Sequence, residues 1–426
     1  MGPNTEPGIA SGAGAQPEAQ AQTRVSAVAA GFNPAPDYSG AALERLNRVN
    51  IELTNIFNDA GFQPIEPGIL QPAEPLFDLY GEEIWDRAFV IEDVASAGGD
   101  GALCLRPDFT VPVARAHLAS GGGSGRYGYF GPVFRRSPQG EEQPLQHLQA
   151  GFEIIGAADP GAADAEAFDL ARKALDWAGV TSWRVVTGDL SIIFSVLDAV
   201  SMPDSWRRRL KRHFWRPERF RRVLRMFAGE EPGGALQGER LAFLKAVGGL
   251  GAGEAAAAVA EMIALSDTPQ IGARSAKEVA ERFLRQAADA REHPLPRESV
   301  ALIDAVLSVS GTCPAALAQL RALGAQAGDG FAASVERFAA RLDEFSARGI
   351  DVEALPFEAG FGRNLEYYDG FVFEMTADTP GGPVKLGGGG RYDGLFKALR
   401  APAPIPSVGV ALRPEAMVSA GAGGAA

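Results

Sequence analysis

Cysteine is nearly absent from this sequence: Cys104 and Cys313 are the only two in 426 residues. They stand far apart and outside any CxxC or Cys/His ligand spacing, which excludes a structural zinc or a disulfide framework and fits a reducing compartment. Histidine is almost as scarce, with four residues. His117, His147, His213 and His293 are scattered, with no Ser or Cys in a triad-like setting, and read as structural rather than catalytic. No run approaches the roughly 18 apolar residues of a membrane span. The opening MGPNTEPGIASGAGAQPEAQAQTRVS lacks the charged start and apolar centre of a signal peptide, so a soluble, cytoplasmic protein is expected. A net charge of −13 argues against a chain whose main business is coating nucleic acid or an anionic membrane. There is no internal repeat and no GxxxxGK[ST] phosphate loop, and neither a metal nor a cofactor is expected.

What is present is globular in composition, with 46% hydrophobic and 22% charged residues. The length suggests two or three domains at roughly 150 residues each. Residues 1–38 are rich in Ala, Gly, Pro and Gln and have too few large apolar side chains to offset ordering entropy, so a disordered tail is expected. Leu43, Leu46, Val49, Leu53, Ile56 and Phe57 then recur at helical spacing, with Gly61 placed to end the helix. The prolines of FQPIEPGILQPAEPLF force extended chain. Strands are expected at 89–91, 103–106, 127–135 and 148–156, the last two forming an antiparallel hairpin around the polar loop SPQGEEQP. A helix over 163–178 ends at Gly179, and another starts after Asp189. Residues 200–350 are mostly helical by pattern, with Val335, Phe338, Leu342 and Phe345 as one apolar stripe. Strand character returns at 371–375 and 408–412. The pattern is α+β: a largely antiparallel sheet over 39–195 and 351–418, a helical insertion over 196–350, and a flexible tail over 419–426.

Alternation along strands brings chemistry together. Arg106, Asp108 and Thr110 share one face, and Gln149, Gly151 and Glu153 share another. Arg135, at the end of the first hairpin strand, places a guanidinium beside Gln149 and Glu153. Acids and a base converging on one cavity suit a zwitterion, although ordinary sheet-surface pairs fit the same spacing. The stretch WRRRLKRHFWRPERFRRVLR, residues 206–225, packs ten Lys and Arg residues around apolar ones. It reads as a solvated helix face over a buried apolar side, with a partner surface or an RNA contact as the other readings. GGGGRYDGL, residues 387–395, reads as a tight turn carrying Arg391 and Tyr392 toward the cavity rather than as a phosphate loop.

The segments LRPDFTVPVAR, YGYFGPVFRR, LQAGFEIIG, FGRNLEYYDGFVFEM, GGGGRYDGL and VGVALRPEAM, in this order over residues 42–418, resemble the catalytic core of histidyl-tRNA synthetase, a class II aminoacyl-tRNA synthetase. The resemblance implies a class II antiparallel sheet flanked by helices, and a histidine-binding pocket at Asp108, Thr110, Arg135, Gln149, Glu153, Arg363, Tyr368 and Tyr392. It also implies a dimer formed through the first helix and strands.

The departures from the synthetase pattern carry further expectations. Ala416 stands where the third motif's arginine belongs, Arg413 is expected to point elsewhere, and Ser137 replaces an acid. The loop GEEQPLQ is acidic where the synthetase carries arginines, and no anticodon-binding domain follows. A pocket kept while ATP and tRNA parts are lost resembles the family of ATP phosphoribosyltransferase regulatory subunits. That likeness implies a non-catalytic partner of the short catalytic subunit in histidine biosynthesis, with histidine as feedback effector and tRNA excluded. The transferase chemistry itself is not expected, since no paired acids precede a TGGT-type loop. Arg363 fits either a retained grip on the carboxylate of histidine or, in a rival reading, a divergent histidine-activating enzyme.

Overall fold

The computed structural model describes residues 37–74, 76, 87–91, 102–136, 144–230, 292–363, 365, 367–379 and 382–421, with isolated positions between 249 and 289. The expected N-terminal tail, except its last two positions, and the hairpin loop 137–143 lie outside them.

Helix α1 (Gly40–Asp59) buries Leu46, Val49, Leu53 and Phe57, the inward stripe of the periodicity. Gly61 follows with φ 80°, a left-handed conformation that ends a helix at little cost for glycine. The proline-rich stretch gives the short strands β1 (Gln63–Pro64) and β2 (Leu70–Pro72) but is not extended throughout, since residues 73, 74 and 76 are helical; β3 (Val90–Ile91) and β4 (Leu103–Leu105) follow. Helix α2 (Thr110–Ala119) leads into strands β5 (Gly125–Phe134) and β6 (Gln146–Ile155). These two pair antiparallel from Gly125 opposite Ile155 to Phe134 opposite Gln146.

Helix α3 (Pro160–Trp177) starts where Asp159 accepts the Ala162 N–H at 3.0 Å, with Pro160 pre-set for the first turn. Strand β7 (Trp183–Asp189) ends in another carboxylate cap, Asp189 accepting the Ser191 N–H at 2.9 Å at the start of helix α4 (Leu190–Ala199).

Helices α5 (Asp204–His213) and α6 (Pro217–Phe227) carry the basic stretch. Their apolar side is buried through Trp206, Leu210, Phe220, Val223, Leu224 and Phe227, while Arg208, Arg219 and Arg222 face solvent. Helix α7 (Arg297–Leu307), strand β8 (Ser310–Thr312), and helices α8 (Cys313–Ala327) and α9 (Asp329–Ala347) follow. Helix α9 lies against α3 and α4. Phe345 stacks on Phe168 at 5.3 Å, and buried Arg341 reaches Asp189 at 2.6 Å and Asp164 at 3.4 Å. Among the described residues of 200–350, strand β8 is the exception to the helical pattern. Its side chains are exposed and it joins the sheet edge by backbone bonds alone, which leaves no hydrophobic signature.

Strands β9 (Pro356–Glu358), β10 (Phe371–Thr379) and β11 (Gly382–Arg391), helix α10 (Leu395–Ala398), strand β12 (Ser407–Leu412) and helix α11 (Pro414–Gly421) complete the chain. The nine-stranded sheet runs β1-β5-β6-β12-β11-β10-β7-β9-β8, with a small sheet β2-β4-β3 beside it. Its pairings are antiparallel except β1 with β5 and β7 with β9. Helix α11 runs through 419–421, where a flexible tail is expected from composition. Met417 is fully buried and α11 packs on α1, so tertiary contact holds small residues that show no pattern of their own.

Candidate functional site

The centre of the large sheet is occupied by glycines. Gly387–Gly390 form part of β11 between β10 and β12, not the tight turn expected from sequence. A Cβ at Gly388 would collide with Arg363 Nη1, and one at Gly390 would lie 2.9 Å from Tyr368 Cδ1. The glycines thus make room on the sheet for the side chains of the site. Gly409 on β12 does the same for Glu153, whose carboxylate fills the space a Cβ would need.

Glu153 is fully buried. Thr110 Oγ1 donates to its Oε1 at 2.8 Å, Tyr129 OH to the same oxygen at 3.2 Å, and Tyr392 OH to Oε2 at 2.5 Å. Burial pushes the Glu153 carboxyl up to about 8; the hydroxyls of Tyr392, Thr110 and Tyr129 hold it down and nearby Asp108 adds to the rise. Burial and the neighbouring Glu153 raise Tyr392 and Tyr129 above the usual phenol range, so both stay as donors. Gln149 Nε2 donates to Tyr129 OH at 3.4 Å. Tyr367 OH donates to Asp108 Oδ2 at 3.3 Å and lies 3.4 Å from Thr110 Oγ1.

In front of this network lies a cavity of about 510 Å³, counted with the solvent at its open mouth. Asp108, Thr110, Arg135, Gln149, Arg363 and Tyr368 all line it. Glu153 and Tyr392 stand behind the wall, bonded to each other, and Glu153 also accepts from Thr110. The structure therefore gathers all eight sequence-predicted residues at one place, six at the surface of the cavity and two in its support.

The local geometry differs from the expectation in four ways. Strand β4 ends at Leu105, and Asp108 and Thr110 reach the cavity from the turn into α2 rather than by strand alternation. Arg106 is fully buried, its Nε donating to Pro132 O at 2.8 Å and Nη1 to Pro67 O at 2.6 Å, and does not line the cavity. Arg391 turns away from it. On a strand, Arg391 and Tyr392 face opposite sides. Arg391 is spent on Asp164 at 2.7 Å and Asp393 at 2.9 Å. Burial opposes its charge, but those two carboxylates hold its pKa above the ordinary value.

Arg413 is the largest departure. Its backbone N–H donates to Leu386 O at 2.8 Å, continuing the ladder one residue past β12, so its side chain shares the face of Ala411 and enters the cavity. Sequence reasoning missed it, along with Tyr367, Tyr129, His147, Glu374 and Lys385. Alternation along VGVALR was the available signal for Arg413. Burial, then Arg135 and Arg413, push His147 down to about 2, leaving a neutral imidazole on the wall. Among the described residues no group of His, Cys, Asp and Glu is placed to hold a metal, and no helix is long and apolar enough to cross a membrane.

The histidyl-tRNA synthetase family model matches residues 35–287 and 256–417. A relative from Mesorhizobium japonicum named ATP phosphoribosyltransferase regulatory subunit is 35% identical over 368 residues, 86% of this chain and 95% of the relative. The chain belongs to the ATP phosphoribosyltransferase regulatory subunit family. A second member of the family, from Brucella anthropi, is 35% identical over 82% of this chain and 90% of its own length. The fold matches a solved Bacillus halodurans structure described as an ATP phosphoribosyltransferase regulatory subunit/histidyl-tRNA synthetase. The TM-score is 0.62 at 20% identity, covering 91% of this chain and 82% of the other. The class II synthetase-like α+β fold expected from the motifs is the fold observed. In this regulatory subunit family member the cavity sits over that sheet, where the start of β6, the middle of β10 and β11 and the end of β12 come together.

Proposed function

We propose that this chain is the non-catalytic regulatory subunit of ATP phosphoribosyltransferase, working with a short catalytic subunit at the first step of histidine biosynthesis, with histidine as its feedback effector. The observation that carries the reading is the single cavity in which Asp108 and the Glu153 network face the guanidiniums of Arg135 and Arg363. A carboxylate serves an ammonium, a guanidinium serves a carboxylate, and Gln149 and Tyr368 offer hydrogen bonds to an imidazole. Feedback needs only that histidine binding differ by about 1–3 kcal/mol between active and inactive quaternary arrangements. Self-association through α1 and the small sheet fits the exposed Leu43 and Ile51 of α1 and Leu70 and Ile91 of the small sheet. The protein acts in the cytoplasm and does not take tRNA as a partner.

Calorimetry of histidine with the purified chain tests the pocket. Histidine binds the wild type, and Asp108→Asn weakens binding about tenfold or more by removing the counter-charge of the ammonium. Undiminished binding to that variant would place the effector elsewhere. The arginines in the cavity also fit a divergent histidine-activating enzyme. Pyrophosphate exchange dependent on histidine and ATP would establish that reading and overturn the regulatory one.

A further inference from the structure

Arg106 is fully buried and stands outside the cavity, yet it is built into the support of the cavity wall. Its Nε donates to Pro132 O on β5 at 2.8 Å, and its Nη1 to Pro67 O, on the link between β1 and β2, at 2.6 Å. The guanidinium lies over the Phe109 ring, 4.0 Å from its centre. Phe109 in turn stacks on Tyr129, the ring centres 4.3 Å apart and the planes 4° from parallel. Tyr129 OH donates to Glu153 Oε1 at 3.2 Å. Thr110, the residue after Phe109, donates to the same oxygen at 2.8 Å, and Asp108, the residue before, lines the cavity. The seat of the Phe109 ring therefore sets both donors to Oε1 and the wall on which Asp108 stands.

Two glycines leave room for this column. A Cβ at Gly131 would lie 2.5 Å from Arg106 Nη2 and 3.1 Å from Phe109 Cζ. One at Gly151, opposite Tyr129 on β6, would lie 2.6 Å from the Tyr129 hydroxyl. Burial lowers the Arg106 guanidinium from its ordinary value, the exposed carboxylate of Glu66 raises it, and Nη2 has no hydrogen-bond partner among the described residues. An apolar side chain would fill the same volume without that penalty. It could not hold carbonyls on two separate segments while laying a flat cation on an aromatic ring.

We propose that Arg106 is a positioning residue of the pocket: tied to Pro67 and Pro132 and stacked on Phe109, it fixes Thr110 and Tyr129 where they hold Glu153, and Asp108 where it meets the ligand. Its effect on histidine affinity rests on the regulatory reading above, and its effect on Glu153 does not.

Urea unfolding between about pH 6 and pH 9.5, each protein with and without Glu153→Gln, isolates the part of stability that follows the Glu153 proton. In the wild type that part is lost as pH rises toward about 8. In Arg106→Met the hydroxyls of Thr110 and Tyr129 no longer hold the carboxyl down, so the midpoint of the loss moves up by about half a pH unit or more. Phe109→Leu, which breaks the stack at its next link and keeps the core filled, moves the midpoint the same way. Leu210→Ala, a destabilised control on α5, leaves it in place. By calorimetry, histidine binds Arg106→Met and Phe109→Leu about tenfold or more weakly than the wild type, and binds Leu210→Ala as tightly. A midpoint unmoved in both variants, however much stability falls, marks a purely structural arginine and overturns the proposal. Wild-type histidine affinity in both variants overturns it as well. If Arg106→Met does not fold, Phe109→Leu decides by the same two readings. If the wild type itself does not bind histidine, the regulatory reading fails instead, and the midpoint alone decides the role of Arg106.

Discussion

Replacing Glu153 by Gln probes the support of the pocket without emptying it. With its carboxyl raised to about 8 by burial, Glu153 is mostly protonated at neutral pH, and glutamine copies that form in size and charge. The sign follows from where the two states hold the proton. The unfolded carboxyl loses it near 4.5 and the folded one near 8, so the contribution to stability is complete below about 4.5 and declines as pH rises toward about 8. The slope of one proton is about 1.4 kcal/mol per pH unit. Between about pH 6 and pH 8 the wild type therefore loses roughly 2–3 kcal/mol that Glu153→Gln does not lose. The variant keeps an acceptor for Thr110 and Tyr392, whose hydroxyls can reorient to its amide, so its stability near pH 6 stays within about 1–2 kcal/mol of wild type. Urea unfolding of both proteins at several pH values is the assay. Parallel stability curves would refute the reasoning, since they would mean that Glu153 is already ionised in the folded protein.

Other perturbations have equally definite outcomes. Arg391→Met strands Asp164 without one of its two guanidinium partners in the interior and lowers the unfolding free energy by about 3–5 kcal/mol, read by chemical denaturation. Gly388→Ala drives a methyl into Arg363 and the Phe373 carbonyl, so ligand affinity measured by calorimetry falls together with stability. Leu210→Ala, at a fully buried position on α5, costs about 2–5 kcal/mol. Arg208→Gln, on the exposed side of the same helix, stays within about 0.5 kcal/mol of wild type, and a larger loss would mean that the basic face carries packing.

Much of the fold is legible in the chain because its signals are local. The periodicity of Leu46, Val49, Leu53 and Phe57 gives α1, and two runs flanking a polar loop give the β5–β6 hairpin. Alternation places Gln149 and Glu153 on one face, as observed. What escapes has no local signature. Strand β8 is exposed and held by backbone bonds, α11 is held by tertiary contact, and β7 lies between two helix boundaries that dominate the pattern. The four-glycine run looks like a turn because glycine is permissive, yet it is a central strand whose missing side chains leave room for Arg363 and Tyr368. The direction of Arg413 depends on whether β12 continues one residue past Leu412, and that is decided by a single bond to Leu386.

The most direct test of the account is phosphoribosyl-ATP formation by the short catalytic subunit from the same source, measured with and without this chain across a titration of histidine. The account predicts activity that depends on the chain and falls as histidine is added. Activity that is the same with and without the chain at every histidine concentration would contradict it.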